Sequence, residues 1–246
     1  AERNPTLDIS GMDSAHKLQI LATLAFRTSV DLKNIYTEGI TAVTPQDIAY
    51  AAELGYRIKL LAIAKAGDGG LEVRVHPTMI PTGSPLAAVS GVFNAVFITG
   101  DAVGDLMFYG RGAGQMPTAS AVWSDIVEIA RRLAHGLPAL PLDLPALSAR
   151  PLSLQPVEEI RSAYYLRVMA MDRPGVLSQV AGVLGRHEIS IASVIQKGRA
   201  AEAVPVVMMT HEARERDMRQ ALAAIEKLRE VVVPPTMMIR VEGSGN

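Results

Sequence analysis

The sequence contains no cysteine, and only 4% of its 246 residues are aromatic. Without thiols the chain cannot form disulfides, iron–sulfur clusters or thiolate zinc sites. Its histidines lie far apart and lack the paired spacing of metal ligands, so we expect no metal site built by the protein. They are His16, His76, His135, His187 and His211. Folding must therefore depend on the packing of apolar residues, which form 49% of the chain.

Neither sign of charge dominates, since 24 basic side chains stand against 25 acidic ones and the formal net charge is -1. This balance gives no electrostatic attraction for nucleic acid or for an anionic membrane surface. The longest apolar runs, such as Leu60–Ala64, are far shorter than the roughly 20 residues that cross a bilayer. We therefore expect a cytoplasmic protein whose partner is a small molecule or another protein, with no nucleic acid and no membrane.

The chain begins at Ala1 without an initiator methionine, and its start lacks the basic and apolar regions of a signal peptide. We expect it to be part of a longer protein. Its length allows two domains with substantial cores. Prolines interrupt a stretch of Leu, Ala and Ser at positions 138, 141, 145, 151 and 156, which favours an extended connector. We predict a first domain over 1–137, a proline-rich linker over 138–160 and a second domain over 161–246.

The first domain combines helical and strand patterns. The pattern over Ser14–Phe26 is apolar on most sides and predicts a helix buried against a sheet. Thr44 and Pro45 begin another helix, which Gly55 ends. Together with the strands, these elements predict a mixed α+β layer. The predicted strands are Ile58–Ala64, Leu71–His76 (with one face wetter than the other), Ala95–Thr99 and Leu106–Tyr109.

After the linker the pattern restarts as strand, helix, strand, strand, helix, strand. This βαββαβ order is that of a ferredoxin-like domain. The last helix is amphipathic, with Met218, Leu222, Ile225 and Leu228 facing inward. In chain order the predicted elements are Tyr164–Ala170, Val176–Arg186, Ile189–Gln196, Ala203–Thr210, Glu212–Leu228 and Met237–Val241.

A segment rich in carboxylates precedes the first helix and is the strongest sign of chemistry in the sequence. If the helix begins within Ser10–Asp13 with a short polar side chain as its cap, Asp13 and Lys17 stand four residues apart on one face. Glu2 and Asp8 would approach from the preceding loop. A lysine that passes a proton, among acids that hold an ammonium group, suits an enzyme acting on an amino acid. The alternative is an exposed surface pair worth roughly 0.2–0.5 kcal/mol.

A glycine-rich turn over Tyr109–Ala119 leaves a strand and enters a helix that ends at Gly136. Backbone amides at such a helix start attract anions. The spacing of Gly110, Gly112 and Gly114 departs from the G-x-G-x-x-G dinucleotide fingerprint, because the third glycine comes one residue early. The segment is therefore either an anion-binding loop or a tight turn whose glycines adopt positive φ.

Three segments carry a resemblance to known families. The stretch Asn4–Lys17 (NPTLDISGMDSAHK, preceded by Glu2) and the stretch Gly110–Ala119 (GRGAGQMPTA) resemble the catalytic half of bacterial homoserine dehydrogenase. The stretch Asp172–Leu177 (DRPGVL) resembles an ACT domain, a small module that senses amino acids. The resemblance covers nearly the whole chain. It implies an α+β fold in which a mixed-sheet substrate-binding and dimerisation domain precedes a ferredoxin-like ACT domain.

This resemblance implies a role for each acidic or basic residue of the first segment. Lys17 would protonate the carbonyl oxygen of L-aspartate 4-semialdehyde as hydride arrives from NAD(P)H, and would act as the base in the reverse direction. Glu2 would bind the amine of L-homoserine, while Asp8 and Asp13 would hold the substrate and orient the catalytic lysine. The roles are chemically consistent, because hydride addition creates an alkoxide that needs a nearby proton.

The same resemblance makes NAD(P) the cofactor and places Gly114 near it, with Gly110 and Gly112 shaping the loop. In this family a nucleotide-binding Rossmann domain, a second lysine and a monovalent-cation site precede the region that the chain resembles. These features are absent here, so we expect the chain to be inactive alone. The helix after Pro117 is expected to lack the cover that the preceding domain gives it.

The ACT resemblance implies feedback control by an amino acid from threonine, methionine and isoleucine biosynthesis, with threonine as the expected effector. ACT modules commonly pair side by side and bind effector at the seam, so a homodimer or homotetramer is expected. Position 190 is a serine where the family often has asparagine. The implied effector contacts are Asp172, Gly175, Val176, Leu177 and Ser190.

A second hypothesis is an amino-acid-binding regulatory and dimerisation module without catalysis. In this interpretation the ACT part captures threonine or another amino acid at a subunit interface, and the first domain only dimerises. The hypothesis predicts saturable binding of an amino acid without redox activity, which distinguishes it from the dehydrogenase.

Overall fold

The computed structural model describes residues 5–137, 152–197 and 203–243. The chain divides into two compact units: the first combines Ala1–Thr82 with Leu147–Asn246, and the second is Gly83–Ala146. In the described ranges, no helix is both long enough and apolar enough to cross a membrane.

The predicted proline-rich linker lies outside the described residues as far as residue 151. Beyond it, Leu154 forms a β-bridge with Leu71, and the backbone N–H of Leu71 donates to the carbonyl of Ser153 at 2.8 Å. This part of the connector is therefore bound along the first unit.

The elements of the first unit come from both ends of the chain. Its helices are α1 (Thr6–Ile9), α2 (Met12–Phe26), α3 (Pro45–Glu53), α5 (Val176–Arg186) and α6 (Glu215–Ile225), and α4 (Gln115–Ala134) belongs to the second unit. Its strands are β1 (Tyr36–Thr37), β2 (Tyr56–Gly67), β3 (Gly70–Pro81), β6 (Arg161–Met171), β7 (Ile191–Gln196), β8 (Ala203–Thr210), β9 (Ala213–Arg214) and β10 (Val232–Val241).

These strands form one mixed sheet in the order β1-β3-β10-β6-β8-β7, with β2 paired to β3 and β9 to β6. The part β10-β6-β8-β7 is antiparallel, and with α5 and α6 it confirms the predicted βαββαβ module. Strand β10 also pairs in parallel with β3, with Arg240 opposite Thr78. The sheet of the ACT-like module therefore continues into the sheet that supports the first helices.

Helix α2 packs on the sheet through one face. Ala15, Leu18 and Ala22 are buried against Leu71, Val73 and Val75 of β3. The prediction of a helix buried against a sheet is confirmed, although the outer side of α2 is uncovered: Ile20, Leu21 and Leu24 are exposed, Ile20 to 62%. A helix lying on one sheet buries a single stripe of its surface, and these three side chains lie outside that stripe.

The polar face of β3 is buried, which corrects the prediction of a wetter face. Arg74 is 2% exposed and His76 is 0% exposed. Strand β3 is internal, and its buried polar side chains form hydrogen bonds within the protein: Arg74 Nη2 donates to Glu242 Oε1 at 2.6 Å, and Thr78 Oγ1 lies 2.9 Å from His76 Nδ1. Arg74 Nε is buried without a hydrogen-bond partner among the described residues. Burial, followed by the charges of two nearby arginines, lowers the pKa of His76 well below its ordinary value. The imidazole is therefore neutral at pH 7.

Helix α3 begins as the sequence predicts. It covers the face of the ACT-like strands that is opposite to α5 and α6. Thr44 is its N-cap and forms a reciprocal capping box with Asp47, whose carboxylate accepts from the Thr44 N–H at 2.9 Å. The carboxylate of Asp47 is fully buried. It also accepts two hydrogen bonds from the Arg167 guanidinium, at 2.6 and 3.0 Å, and one from the Tyr165 hydroxyl. One residue thus caps a helix and joins it to β6.

A second buried ion pair lies on the other face of the sheet, where α6 packs. Arg240 on β10 donates to both carboxylate oxygens of Glu215, the first residue of α6. Tyr164 and Arg219 also donate to this carboxylate, at 2.9 and 2.8 Å. Burial alone raises the pKa of Glu215, but the hydrogen bonds and charges of Arg240 and Arg219 outweigh it, so the net pKa is lowered.

Acid is expected to weaken the fold through Glu215. A carboxyl group whose pKa is lowered by folding stabilises the protein fully above its unfolded pKa, about 4.3 for glutamate, and this contribution is lost as the pH falls through the lower folded pKa. The free energy of unfolding, measured in urea at several pH values, should therefore fall below about pH 5 less steeply in Glu215→Gln than in the wild type. Parallel pH profiles would contradict this assignment.

The second unit contains a hairpin and a long helix. Strands β4 (Phe93–Gly100) and β5 (Gly104–Arg111) pair antiparallel from Phe93 opposite Arg111 to Gly100 opposite Gly104, as the sequence predicts. Helix α4 (Gln115–Ala134) follows the glycine-rich turn. Along α4, the apolar side chains that the resemblance implied would lie uncovered are exposed: Val122, Ile126 and Ile129. Trp123 beside them is exposed as well.

Candidate functional site

The carboxylate-rich segment forms two helices joined at Ser10 and Gly11, which we call the α1–α2 joint. The expected loop around Asp8 is instead the short helix α1. The expected polar cap of α2 is also absent: the N-cap is Gly11, with a left-handed φ of 82° and no capping side chain. A Cβ here would lie 3.1 Å from Val75 and 3.2 Å from Thr37, so close packing on the sheet and a sharp reversal require glycine.

The α1–α2 joint rests on the loop that follows β1. The backbone N–H of Ile40 donates to the carbonyl of Ile9 at 2.9 Å. At Gly39 a Cβ would lie 2.3 Å from that same carbonyl oxygen and 2.9 Å from Ser10 Cα. The two backbones therefore touch directly, and the position of α2's first turn depends on this contact.

Replacing Gly39 by alanine should destabilise the first unit by about 1–3 kcal/mol, because the added methyl group forces two packed backbones apart. The matched control is Gly185→Ala within α5, where a Cβ meets no atom within 4 Å. That change should be neutral or should stabilise by up to about 1 kcal/mol. Urea unfolding of both variants measures the difference, and equal free energies of unfolding would contradict the close approach.

Asp13 and Lys17 meet on the first two turns of α2, as their spacing predicts. Lys17 Nζ lies 2.6 Å from Asp13 Oδ2, and the side chains are 58% and 43% exposed. Asp8 is exposed on α1, while Glu2 lies outside the described residues. The structure therefore presents to solvent an ammonium group oriented by a carboxylate, which can exchange a proton with a bound oxygen atom.

The described residues, with gaps before Pro5, at 138–151, at 198–202 and after Gly243, contain no group of three or more His, Cys, Asp or Glu side chains that could hold a metal ion.

The glycine-rich turn ends β5 and begins α4 within the second unit. Gly114 is the N-cap of α4, with a φ of 125° that favours glycine. A Cβ on Gly112 would lie 1.9 Å from Asn94 Nδ2 across the hairpin, whereas one on Gly110 would meet nothing within 4 Å. The first N–H groups of α4 have no partner within the helix. This turn can therefore hold an anionic group close to the backbone.

The predicted effector residues lie in two places on the ACT-like module. Asp172 is exposed after β6 and accepts a hydrogen bond of 3.4 Å from Gln196, the last residue of β7. Gly175 is the N-cap of α5, Leu177 is exposed, and Val176 is 5% exposed within the core. Ser190 is exposed at the other end of β7, where its carbonyl accepts from the His211 N–H.

Strand β7 separates these two groups. It has six residues, which at about 3.3 Å per residue place its ends about 16 Å apart. A single amino acid cannot touch both Asp172 and Ser190 of one chain across that length. The two sets of predicted contacts can therefore belong to one site only if each set combines with residues outside this chain.

Sequence reasoning missed the buried ion pairs Asp47–Arg167 and Glu215–Arg240. Asp47 and Arg167 are 120 residues apart, and Glu215 and Arg240 are 25 residues apart. In the sequence, Asp47 and Glu215 have the pattern of ordinary charges on a helix surface. The only available signal was at Asp47, where Thr44 and Asp47 have the spacing of a capping box. Its arginine partner, 120 residues away, carries no local pattern.

Comparison with known proteins gives matches to both halves of the chain. Residues 1–127 match the family model described as homoserine dehydrogenase, and residues 164–230 match the model of the ACT domain. Proteins called homoserine dehydrogenase are 46% identical over 248 residues in Pseudomonas aeruginosa and 45% identical over 247 residues in Neisseria gonorrhoeae. Each alignment covers 98% of this chain and 56% of the relative.

Solved structures give the same result. The crystal structure of a homoserine dehydrogenase from Thiobacillus denitrificans matches with a TM-score of 0.89 and 44% identity, over 100% of this chain and 56% of that one. A homoserine dehydrogenase from S. aureus matches with a TM-score of 0.68 and 30% identity, over 99% of this chain and 55% of that one. The chain therefore spans just over half the length of these relatives.

Proposed function

The chain belongs to the homoserine dehydrogenase family, and from this premise we propose that the full-length protein containing it interconverts L-homoserine and L-aspartate 4-semialdehyde with NAD(P). The observation that supports the proposal best is the Asp13–Lys17 pair, which is exposed on α2 with its atoms 2.6 Å apart. We assign residues 1–137 to the catalytic and dimerisation domain, 138–160 to the linker and 161–246 to the ACT domain, in a cytoplasmic enzyme of threonine, methionine and isoleucine biosynthesis.

In this proposal Lys17 moves the proton. During reduction its ammonium group protonates the aldehyde oxygen as C4 gains hydride, so the alkoxide never has to exist free. During oxidation the neutral amine accepts the hydroxyl proton as C4 loses hydride. Asp13 orients Nζ through its hydrogen bond, while Asp8 and Glu2 hold the ammonium group of the amino acid. These carboxylates stabilise the zwitterionic substrate near the lysine.

The glycine-rich turn fits the dinucleotide in its local chemistry. Gly114 exposes the start of α4, and Gly112 leaves no side chain between the backbone and Asn94. Gly110 completes the turn. The nicotinamide supplies or accepts hydride when bound, and this turn would contribute backbone N–H groups to a phosphate or sugar of the same molecule.

We further propose that the ACT domain binds an amino-acid effector, threonine above all, between two copies of the chain. Antiparallel pairing of two β7 strands around a two-fold axis would bring Asp172, Gly175 and Leu177 of one copy near Ser190 of its partner, because the two sets of residues lie beside opposite ends of β7. A homodimer or homotetramer follows from this arrangement. It explains how contacts about 16 Å apart in one chain serve one small ligand.

Homoserine-dependent reduction of NAD+ or NADP+ by the full-length protein tests the proposed reaction. We expect saturable formation of the reduced nicotinamide with homoserine, and none with threonine, whose hydroxyl is on a different carbon. A folded full-length protein that binds nucleotide but gives no turnover with homoserine would favour the non-catalytic amino-acid-binding module.

Calorimetric titration tests the effector assignment separately. Threonine should bind the full-length protein saturably, and Ser190→Ala should weaken that binding while leaving homoserine turnover without threonine unchanged. Absence of heat with threonine, isoleucine and methionine alike would count against sensing by the ACT domain.

A further inference from the structure

Glu38 connects the α1–α2 joint to the buried ion pair on the ACT side of the sheet. Its carboxylate accepts from Arg240 Nη1 at 3.0 Å and from the Tyr36 hydroxyl at 2.8 Å. Arg240 is in turn held by Glu215 at the start of α6. Glu38 is therefore anchored from β10 and β1, and its side chain is only 32% exposed.

The backbone of Glu38 leads directly to the site segment. Its N–H donates to the Val75 carbonyl at 2.8 Å, which fixes the end of β1 on β3. The next two residues are Gly39, whose Cα lies against the α1–α2 joint, and Ile40, whose N–H binds the carbonyl of Ile9. The residues that contact the α1–α2 joint are therefore the first and second residues after Glu38, so holding Glu38 in place also holds them.

We propose that Glu38 is a positioning residue for the Asp13–Lys17 pair, because its anchored carboxylate holds the loop on which the α1–α2 joint rests. The inference rests on the proposed dehydrogenase activity for its kinetic consequence. The same contact links α6 and β10 of the ACT domain to the first turn of α2, since Arg240 binds Glu215 and Glu38 at once.

Glu38 can be substituted without leaving Arg240 unpaired. Loss of its charge leaves Arg240 bound to both oxygens of Glu215, so the buried guanidinium keeps a counter-charge. The matched control is Glu242→Gln. Glu242 is also a partly buried carboxylate bound to an arginine, at 2.6 Å from Arg74 Nη2, but its other partner is Lys65 on β2. Each carboxylate is one residue beyond a strand, with its backbone N–H bound to a carbonyl of β3, and of the two only Glu38 leads into the joint.

In the full-length protein, Glu38→Gln should lower kcat for homoserine oxidation about 10-fold or more, since a displacement near 1 Å can cost up to ~100-fold in rate. Glu242→Gln should stay within about two-fold of the wild type. In a Lys17→Ala background the Glu38→Gln effect should largely disappear, because residues that act as a unit are not additive. Wild-type kcat in Glu38→Gln, or the same fold-loss with and without Lys17, would overturn the proposal.

Amide hydrogen exchange separates this inference from the proposed reaction. The amides of Ile40 and Ala15 report the joint and the first turn of α2, where they donate to the carbonyls of Ile9 and Gly11. Both should exchange at least about 10-fold faster in Glu38→Gln than in Glu242→Gln. This comparison decides the positioning role even if the wild type does not oxidise homoserine, an outcome that would refute only the proposed function. Equal exchange in the two variants would refute the positioning role.

Discussion

Replacing Lys17 by alanine is expected to lower kcat for homoserine oxidation in the full-length protein by at least about 100-fold. Lys17 presents the only amine on the described first two turns of α2, and Asp13 fixes its Nζ at 2.6 Å. Without that amine, the hydroxyl proton must leave to water while hydride departs. Because the side chain is 58% exposed, its loss should change the free energy of unfolding little.

Lys33→Ala is the matched control for this prediction. Lys33 is also an exposed lysine in a carboxylate pair, with Nζ 2.9 Å from Asp31 Oδ2, but it follows α2 and belongs to a short 3₁₀ turn. Its removal should leave kcat and KM unchanged. A Lys17→Ala enzyme with wild-type kcat would eliminate Lys17 as the proton carrier, whereas a rise in KM alone would assign it to substrate binding.

Replacing Asp47 by alanine should reduce the free energy of unfolding by about 3–5 kcal/mol, the usual cost of removing one partner of a buried ion pair. Asp47 is fully buried and is the shared acceptor for Arg167, Tyr165 and the Thr44 N-cap. Its loss leaves the guanidinium of Arg167, which is 11% exposed, without a counter-charge. It also removes the capping box of α3, so α3 and β6 lose their common anchor.

Asp47→Asn distinguishes charge from shape. Asparagine keeps the size of the side chain and one acceptor oxygen, so it should retain part of the cap and lose the ion pair. The free energy of unfolding measured in urea should therefore lie between that of the wild type and that of Asp47→Ala. An Asp47→Ala protein as stable as the wild type would show that Arg167 and Tyr165 find other partners. It would contradict the role of Asp47 as the common anchor of α3 and β6.

The sequence predicted most elements because their signals are local. Thr44 and Pro45 specify the start of α3, and the spacing of apolar residues in the last predicted helix specifies the buried side of α6, with Met218 and Ile225 facing inward. The Asp13–Lys17 contact was also predictable, since a spacing of four fixes it on any helix. Local patterns therefore identified the fold class, the βαββαβ order and the central pair of the candidate site.

The parts that the sequence did not predict depend on long-range pairing. Glu72, Arg74 and His76 alternate with apolar residues as a solvent-facing strand would, yet Arg74 and His76 are buried, and Arg74 is bound to Glu242, which follows β10. Gly11 replaces the expected polar cap because the α1–α2 joint packs too closely on Val75 for a side chain. Such contacts join residues that are far apart in the chain, and no local sequence pattern predicts them.

Transfer of deuteride from reduced nicotinamide labelled at its reactive carbon to L-aspartate 4-semialdehyde tests the proposed reaction and the role of Lys17 together. The full-length protein should form homoserine with one deuterium at C4, and Lys17→Ala should form it at least about 100-fold more slowly. Homoserine labelled elsewhere, or no homoserine from a folded protein that binds the nucleotide, would contradict the account.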